Sequence, residues 1–539
     1  MLLLILPLLI TSDYLYTGQD LQWIAYSFLF AAMLLIQMRK PGRLRFGVLE
    51  LILTILAIWS LIRTNPQLEN APNSIAVGLF FLSLIMLHQW TQSRKFVLCV
   101  LFVVSLGWNL AYFAFSSGNL FYLWGPFNQE NHYQMANYAV CILFWVYSRK
   151  LHIDHRRIAS LALIVLGLVS LVSSVLTGAK LVQMGWVIFL GFSGMRLLLG
   201  KRRIRINIHK ALFWSTTIVL LTFIGTFILL TLLPPIHGFS ESFSSRQTMN
   251  TASLTLLKSH GLWGVGFGEY RSEIITYWPS FQNAEYEFLN YPAGAHNFVV
   301  HYWCELGVIG LILLILYFSI PLAIAFRVWL YTPKQQIAYL FPFLLGWYLI
   351  IAGDYPSQGF VSAILVTVWI PLLLSKYAHT PLIIVKNRSI LRIILILFCF
   401  LNVWNGYQQI QQARADHIMR NVGLSQQIVR DDFQKFQESL YIRPNSVAYF
   451  YGSWLFLQMG DVTTAKLFVN KLTEISRFRW PVQQRLAQIL IQEGFCKEAN
   501  AEAQKVLRLR SPGSLPFFEE QIRRCKEGVS GKLYIGGNE

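Results

Sequence analysis

Charge is what this sequence has least of. Only 13% of its 539 residues are Asp, Glu, Lys or Arg, while 55% are hydrophobic; a soluble globular domain carries about 25% and 45–50%. A chain of several soluble enzyme domains is therefore excluded. Acids are scarcer than bases, 26 against 45, and the net charge of +19 would suit nucleic acid if the cations formed one patch. They sit instead in short clusters between apolar blocks, the pattern by which a bilayer fixes topology, so the expected partner is the lipid bilayer and not nucleic acid. Cysteine is also sparse, at six. No Cys-x-x-Cys, His-Glu-x-x-His or acidic run with ligand spacing occurs, so neither a metal nor a cofactor is expected. Cys99, Cys141, Cys304 and Cys399 lie in apolar segments, where a thiol behaves as a small hydrophobe. Cys496 and Cys525 lie in a polar tail, and whether they pair stays open because sequence does not fix the distance between them.

What is abundant is apolar runs long enough to cross the hydrocarbon core of a membrane. They fall near 1–11, 21–38, 46–62, 75–91, 96–116, 133–147, 158–177, 181–199, 211–233, 305–330, 337–352, 360–375 and 390–404. The first is short and has neither a basic flank nor a small-residue cleavage site, so it reads as a tilted anchor and not as a signal peptide. The expectation is an all-α polytopic membrane protein with 12–13 transmembrane helices over 1–404. Up to residue 404, alternate connections hold 22 Lys and Arg in one set and 5 in the other. The rich set, which includes Arg39 to Arg45, Arg196 to Lys210 and Lys376 to Arg392, is assigned to the cytoplasm. The connections at 117–132, about 234–296 and 353–359 then face outward.

From about 405 to 539 the composition turns soluble and the chain repeats. Gln458 and Gln492, Gly460 and Gly494, Ala465 and Ala499, and Leu472 and Val506 are each 34 residues apart. That is the tetratricopeptide period, in which small residues let antiparallel helices approach and stacked pairs present a concave face to a peptide or protein. A further helix is expected near 426–440.

The most informative stretch is Ala295-His296-Asn297 followed by Glu305-Leu306-Gly307 and Gly310, at the entrance to a span. An interfacial histidine meets both lipid-borne and water-borne molecules, and its ordinary pKa near 6.5 lets it accept a proton at neutral pH. Glu305, nine residues on, would lie about 13 Å further along a helix. That is too far for a direct partner of His296, and a carboxylate at such depth is normally paired, so Glu305 reads as a network residue.

These motifs resemble those of the O-antigen ligase and polymerase superfamily of bacterial envelopes. Upstream, Arg246 and an amphipathic stretch to Lys258-Ser259-His260 precede Gly264-Val265-Gly266-Phe267-Gly268, similar to that family's arginine helix and glycine turn. Gly125 to Asn131, with Gln129 and Asn131, resembles a motif of the PglL-type protein O-oligosaccharyltransferases within it. The chain departs from the pattern at Lys180, where arginine is usual, at Glu130, which replaces a proline, and ahead of Asp354-Tyr355-Pro356. The resemblance implies a membrane glycosyltransferase architecture of the GT-C-like kind in a bacterial inner membrane, its active site facing the periplasm. It implies transfer of a preassembled glycan from an undecaprenyl pyrophosphate carrier to a Ser or Thr hydroxyl of a pilin-like periplasmic protein, or, alternatively, to a saccharide acceptor of the O-antigen ligase or polymerase type. His296 is then the base. Arg246, Lys180, Gln129, Asn131, Asn297 and Asp354 are the substrate-binding candidates.

Overall fold

A computed structural model of the chain describes residues 18–39, 44–68, 71–88, 180–198, 204–232, 241–274, 295, 297–331, 339–353, 382–420, 430–475 and 479–507, with scattered single positions that include Tyr138, Tyr277 and Cys525. The spans expected near 1–11, 96–116, 133–147, 158–177 and 360–375 lie wholly or largely outside these residues. The described part is helical apart from one two-stranded ribbon. Its membrane portion comprises α1 (Gly18–Arg39), β1 (Leu44–Phe46), α2 (Val48–Arg63), α3 (Ala71–His88), α4 (Lys180–Leu198), α5 (Ile208–Leu220), α6 (Thr226–Leu232), α7 (Glu241–His260), α8 (Tyr270–Ile274), α9 (Phe298–Tyr331), α10 (Leu340–Gly353) and β2 (Ile383–Val385). α11 (Arg388–Arg420) leads to α12 (Arg430–Ile442), α13 (Ser446–Gln458), α14 (Val462–Ile475), α15 (Arg479–Gln492) and α16 (Cys496–Leu507).

Among the described residues, three helical stretches are long and apolar enough to cross a membrane: Ile208–Leu229, Phe298–Tyr331 and Arg388–Met419. The first joins α5 to α6 through a π-helical turn, Leu221–Gly225. Shorter apolar helices cover Ile24–Arg39, Ala71–Met86 and Leu340–Gly353. The protein is an all-α polytopic membrane protein. Where helices cross closely, small residues make room. Gly185 of α4 and Gly346 of α10 face each other, and a Cβ on Gly346 would meet the Gly185 carbonyl. The core is heavily aromatic: Phe223, Phe298, Phe318 and Tyr348 form one contiguous group, with centroids 5.2 Å apart for Phe223 and Phe318 and 4.9 Å for Phe318 and Tyr348.

The two strands join segments far apart in sequence. β1 and β2 pair antiparallel in the register Leu44↔Val385, Arg45↔Ile384 and Phe46↔Ile383. Both lie in connections of the Lys- and Arg-rich set, so the charge count and the pairing agree that these loops share one end of the bundle. Neither strand was visible as one, because three residues are too few to display an alternating pattern.

Composition turns soluble near 405, yet the backbone does not change there. α11 runs unbroken from Arg388 to Arg420, because one of its faces stays committed to α1 and α3. Asn402 Nδ2 donates to Ser83 Oγ at 3.2 Å, Asn405 Nδ2 to the Pro72 carbonyl at 3.0 Å and Gln409 Nε2 to Asn73 Oδ1 at 3.1 Å. Ser27 Oγ donates to Gln409 Oε1 at 3.3 Å. Further along, Ser439 of α12 donates to the Ala415 carbonyl, Arg443 to the Gln408 carbonyl, and Asn445 bonds Asp416.

Beyond α12, which matches the expected extra helix, the chain makes two helical hairpins, α13 with α14 and α15 with α16. Both turn in the same way 34 residues apart. Gly460 and Gly494 have φ of 77° and 80°, and the amides of Asp461 and Phe495 close back onto the carbonyls of Phe456 and Leu490. Ala465 and Ala499 are fully buried where the paired helices meet. Cys496 and Cys525 form a disulfide, their Cα atoms 5.7 Å apart, which ties the start of α16 to a later segment. The closed loop of 29 residues constrains the unfolded tail by about 3–4 kcal/mol. Replacing both cysteines with serine is expected to lower the tail's unfolding free energy by about that amount. Chemical denaturation followed by tail-specific hydrogen exchange checks this, and an unchanged midpoint would remove the bridge as a stabiliser.

Candidate functional site

The site region is built where α7, the glycine loop and the first turns of α9 meet. α7 is a polar helix that buries one face: Met249, Ala252, Ser253 and Leu256 recur at helical spacing and are buried. Ala252 and Leu256 pack with Phe227, Tyr270, Ile274, Ala295, Val300 and Cys304. Ser253 Oγ lies 2.7 Å from the Tyr270 hydroxyl, and burial pushes that phenol well above its usual pKa, so the pair stays neutral.

Asn297 starts α9. Its side-chain oxygen accepts from the Val300 amide at 3.1 Å, satisfying one of the donors a helix N-terminus leaves open, and its Nδ2 donates to the Phe223 carbonyl at 2.7 Å. That carbonyl belongs to the π-helical turn, where the regular hydrogen-bond ladder is interrupted. One amide thus locks the start of α9 to the irregular point of the α5–α6 segment. Ala295 and Asn297, on either side of position 296, are both buried.

One helical turn further on, His301 Nε2 approaches Glu305 Oε1 at 3.3 Å, with both side chains buried. The same carboxylate oxygen accepts from the Tyr270 amide at 3.3 Å, and the Tyr270 and His301 rings lie 4.7 Å apart. Glu305 is therefore the paired network residue that its depth required. Its partner His301 was overlooked in the sequence, although the i, i+4 spacing of His301 and Glu305 was there to be read.

α9 then breaks. Gly307 has φ 70° and ψ −166°, a kink at which the Cys304, Glu305 and Leu306 carbonyls accept from outside the helix. The loop after α7 supplies two of the donors. Val265 N–H donates to the Cys304 carbonyl at 2.8 Å and Gly266 N–H to the Glu305 carbonyl at 3.1 Å, while Trp59 Nε1 of α2 donates to the Leu306 carbonyl at 2.9 Å. In return Val308 N–H, which opens the second half of α9, donates to the Leu262 carbonyl at 3.1 Å. Gly264 and Gly266 have φ of 76° and 122°, and a Cβ on Gly264 would run into the Glu305 carbonyl, as one on Gly307 would into the Leu262 carbonyl. The Gly-Val-Gly and Glu-Leu-Gly motifs, 41 residues apart, are two halves of one joint. Arg63 at the end of α2 seals it, donating to the Gly264 carbonyl at 2.9 Å and accepting from the Phe267 amide at 3.0 Å. In the sequence Arg63 is one of the five cations of the sparse outward set, and nothing there ties it to the glycine loop.

Of the site candidates, the structure describes the side chain of Asn297 alone, and both of its hydrogen-bonding groups are engaged with backbone. Arg246 lies on the first half of α7 and Lys180 opens α4. His296, Gln129, Asn131 and Asp354 lie outside the described residues.

The joint separates two kinds of glycine. Gly264→Ala or Gly307→Ala adds a backbone overlap to an unfavourable left-handed φ and is expected to cost at least about 3 kcal/mol. Gly460→Ala has a similar φ but open space around it, so about 1 kcal/mol is expected. Thermal unfolding in detergent measures this; equal losses at all three positions would show that the joint adds no constraint beyond φ.

Residues 168–315 match the family model described as O-antigen ligase. The matched segment runs from before α4 to just past the break in α9, and so contains Lys180, Arg246, the glycine loop, His296, Glu305 and Gly307. Over this segment the chain is similar to the O-antigen ligase family. No curated protein and no solved structure matches the chain.

Proposed function

We propose that this protein is a protein O-oligosaccharyltransferase of the bacterial inner membrane, moving a preassembled glycan from an undecaprenyl pyrophosphate carrier to a Ser or Thr hydroxyl of a pilin-like protein at the periplasmic face. The observation that supports it best is the joint at Gly307 inside the segment matched to the O-antigen ligase family. The joint fixes the end of the helix that carries Arg246 against the helix that begins two residues after His296, which brings a cation-bearing element and a base-bearing connection to one region.

The chemistry is a single displacement. The acceptor oxygen attacks the anomeric carbon, the bond from that carbon to the pyrophosphate oxygen breaks, and the acceptor proton passes to His296. An unassisted hydroxyl is a weak nucleophile, which is why a base is needed. Charge develops on the departing pyrophosphate, and Arg246 and Lys180 are assigned to stabilise it, the arginine in a forked bidentate manner and the lysine as a point charge. Gln129, Asn131 and Asp354 are assigned to sugar or phosphate contacts. Direct attack inverts the anomeric centre. The repeated hairpins of the tail favour a protein acceptor, since stacked helical pairs offer a docking face.

The description of the matched family favours a second reading, ligation or polymerisation onto a saccharide acceptor, with the same roles for His296 and the cations. The two readings part at the tail.

His296→Ala is expected to lower glycan transfer at least about 100-fold, the usual contribution of a general base, while the protein still inserts and accumulates. Intact-mass measurement of periplasmic proteins, with a lipopolysaccharide gel in parallel, identifies the product that disappears; undiminished transfer would remove His296 as the base. Deleting residues from 445 onward is expected to abolish modification of the native protein acceptor and to spare slow transfer to a small hydroxyl compound. Parental modification of the protein acceptor by the inserted, truncated enzyme would favour the saccharide reading.

A further inference from the structure

The turn between α7 and the glycine loop leaves two large apolar side chains uncovered. Leu262 is 64% exposed and Trp263 is 59% exposed, although the backbone beneath them is held firmly by Val308, Trp303 and Gly264. Their height in the bilayer follows from α9. Arg327 lies near the far end of that helix, where Arg205 also sits over the Tyr331 ring at 5.6 Å and the Ile204 amide bonds the Leu330 carbonyl. These arginines mark one membrane surface. Counting back from Arg327 at 1.5 Å per residue, about 30 Å of hydrocarbon ends at Gly307. Ile309, Ile312 and Leu316, in between, form an exposed apolar stripe. Leu262 and Trp263 pack against Gly307 and therefore lie at the opposite surface.

Two other tryptophans lie at that level: Trp59, bonded to the Leu306 carbonyl, and Trp303, whose Nε1 donates to the Gly261 carbonyl at 3.0 Å. Indole rings favour this boundary. Beside the turn stand exposed Lys258 and a polar cluster, in which His260 Nδ1 lies 2.9 Å from Ser259 Oγ and 3.3 Å from the Tyr277 hydroxyl. That sequence of apolar tip, indole and cation matches the order of acyl chain, glycerol and phosphate in a phospholipid leaflet.

We propose that Leu262 and Trp263 form a phospholipid-binding anchor that dips into the acyl-chain boundary, with Lys258 at the phosphate level. The anchor sets the height of α7 above the bilayer. It does not depend on the glycan-transfer reading.

The test uses full-length protein in vesicles of phosphatidylethanolamine and phosphatidylglycerol. A genetically encoded acridone side chain replaces Trp263 in one protein, Leu262 in a second and exposed Thr255, two turns up α7, in a third. Nitroxides at carbon 5 or carbon 12 of the acyl chain and aqueous iodide serve as quenchers. At 262 and 263, carbon-5 nitroxide is expected to quench at least threefold more than carbon-12 nitroxide or iodide; at 255 iodide is expected to dominate. The proposal is overturned if iodide dominates at 262 and 263, if neither class of quencher reaches them, or if carbon 12 quenches more strongly than carbon 5.

Discussion

A buried carbonyl has no water to turn to, and three of them, on the buried residues Cys304, Glu305 and Leu306, lie just before the single left-handed residue Gly307. Each unsatisfied polar group in that setting costs several kcal/mol, so the break in α9 stands only because other elements deliver donors to it. The glycine loop brings two backbone amides, and α2 brings the Trp59 indole. The loop approaches closely enough only because Gly264 has no side chain. α2, α7, the loop and both halves of α9 are therefore held by one requirement. The Glu305 carboxylate, the Tyr270 amide and His301 sit on the side of the joint nearer to position 296.

A second polar arrangement carries the tail. Asn402, Asn405 and Gln409 occupy one face of α11 and find partners on α1 and α3. Asparagine is a poor helix former, and any amide side chain is costly to bury alone. Here they are stabilised by being mutually satisfied, and they fix the helix's rotation as well as its position. Ser439, Arg443 and Asn445 continue the same mode of attachment into α12 and the start of α13. The tail is thus mounted on the membrane bundle by a continuous helix and not by a flexible linker.

Much of this was legible in the sequence, though seldom as a relationship. Apolar runs located α1 to α6 and α9 to α11, and the charge count placed the loops of β1 and β2 together. The 34-residue period anticipated the matching turns at Gly460 and Gly494 because a left-handed residue after a helix leaves a strong glycine signature. The glycine motifs at 264–268 and 307 stood out singly, but nothing in one dimension indicates that they interlock, since the hydrogen bonds between them join segments that the sequence separates by 41 residues. His301 was hidden by the more conspicuous His296, and Arg63 by its membership of a sparse charge set. The change of composition near 405 suggested a boundary; the side chains that keep α11 continuous across it are polar, and polar residues read as solvent-facing until their partners are known.

The pairing of β1 with β2, and of α1 with α11, also bears on how the chain is made. Ribosomes add about 5–20 residues per second, and about 340 residues separate Leu44 from Ile383, so β1 waits about 20–70 seconds after its own synthesis for the strand that completes it. During that interval α1 and α3 are already in the bilayer with their serine and asparagine side chains still lacking the amides of Asn402, Asn405 and Gln409. An early part of the bundle is then among the last to close, and the ribbon between β1 and β2 records the moment at which it does.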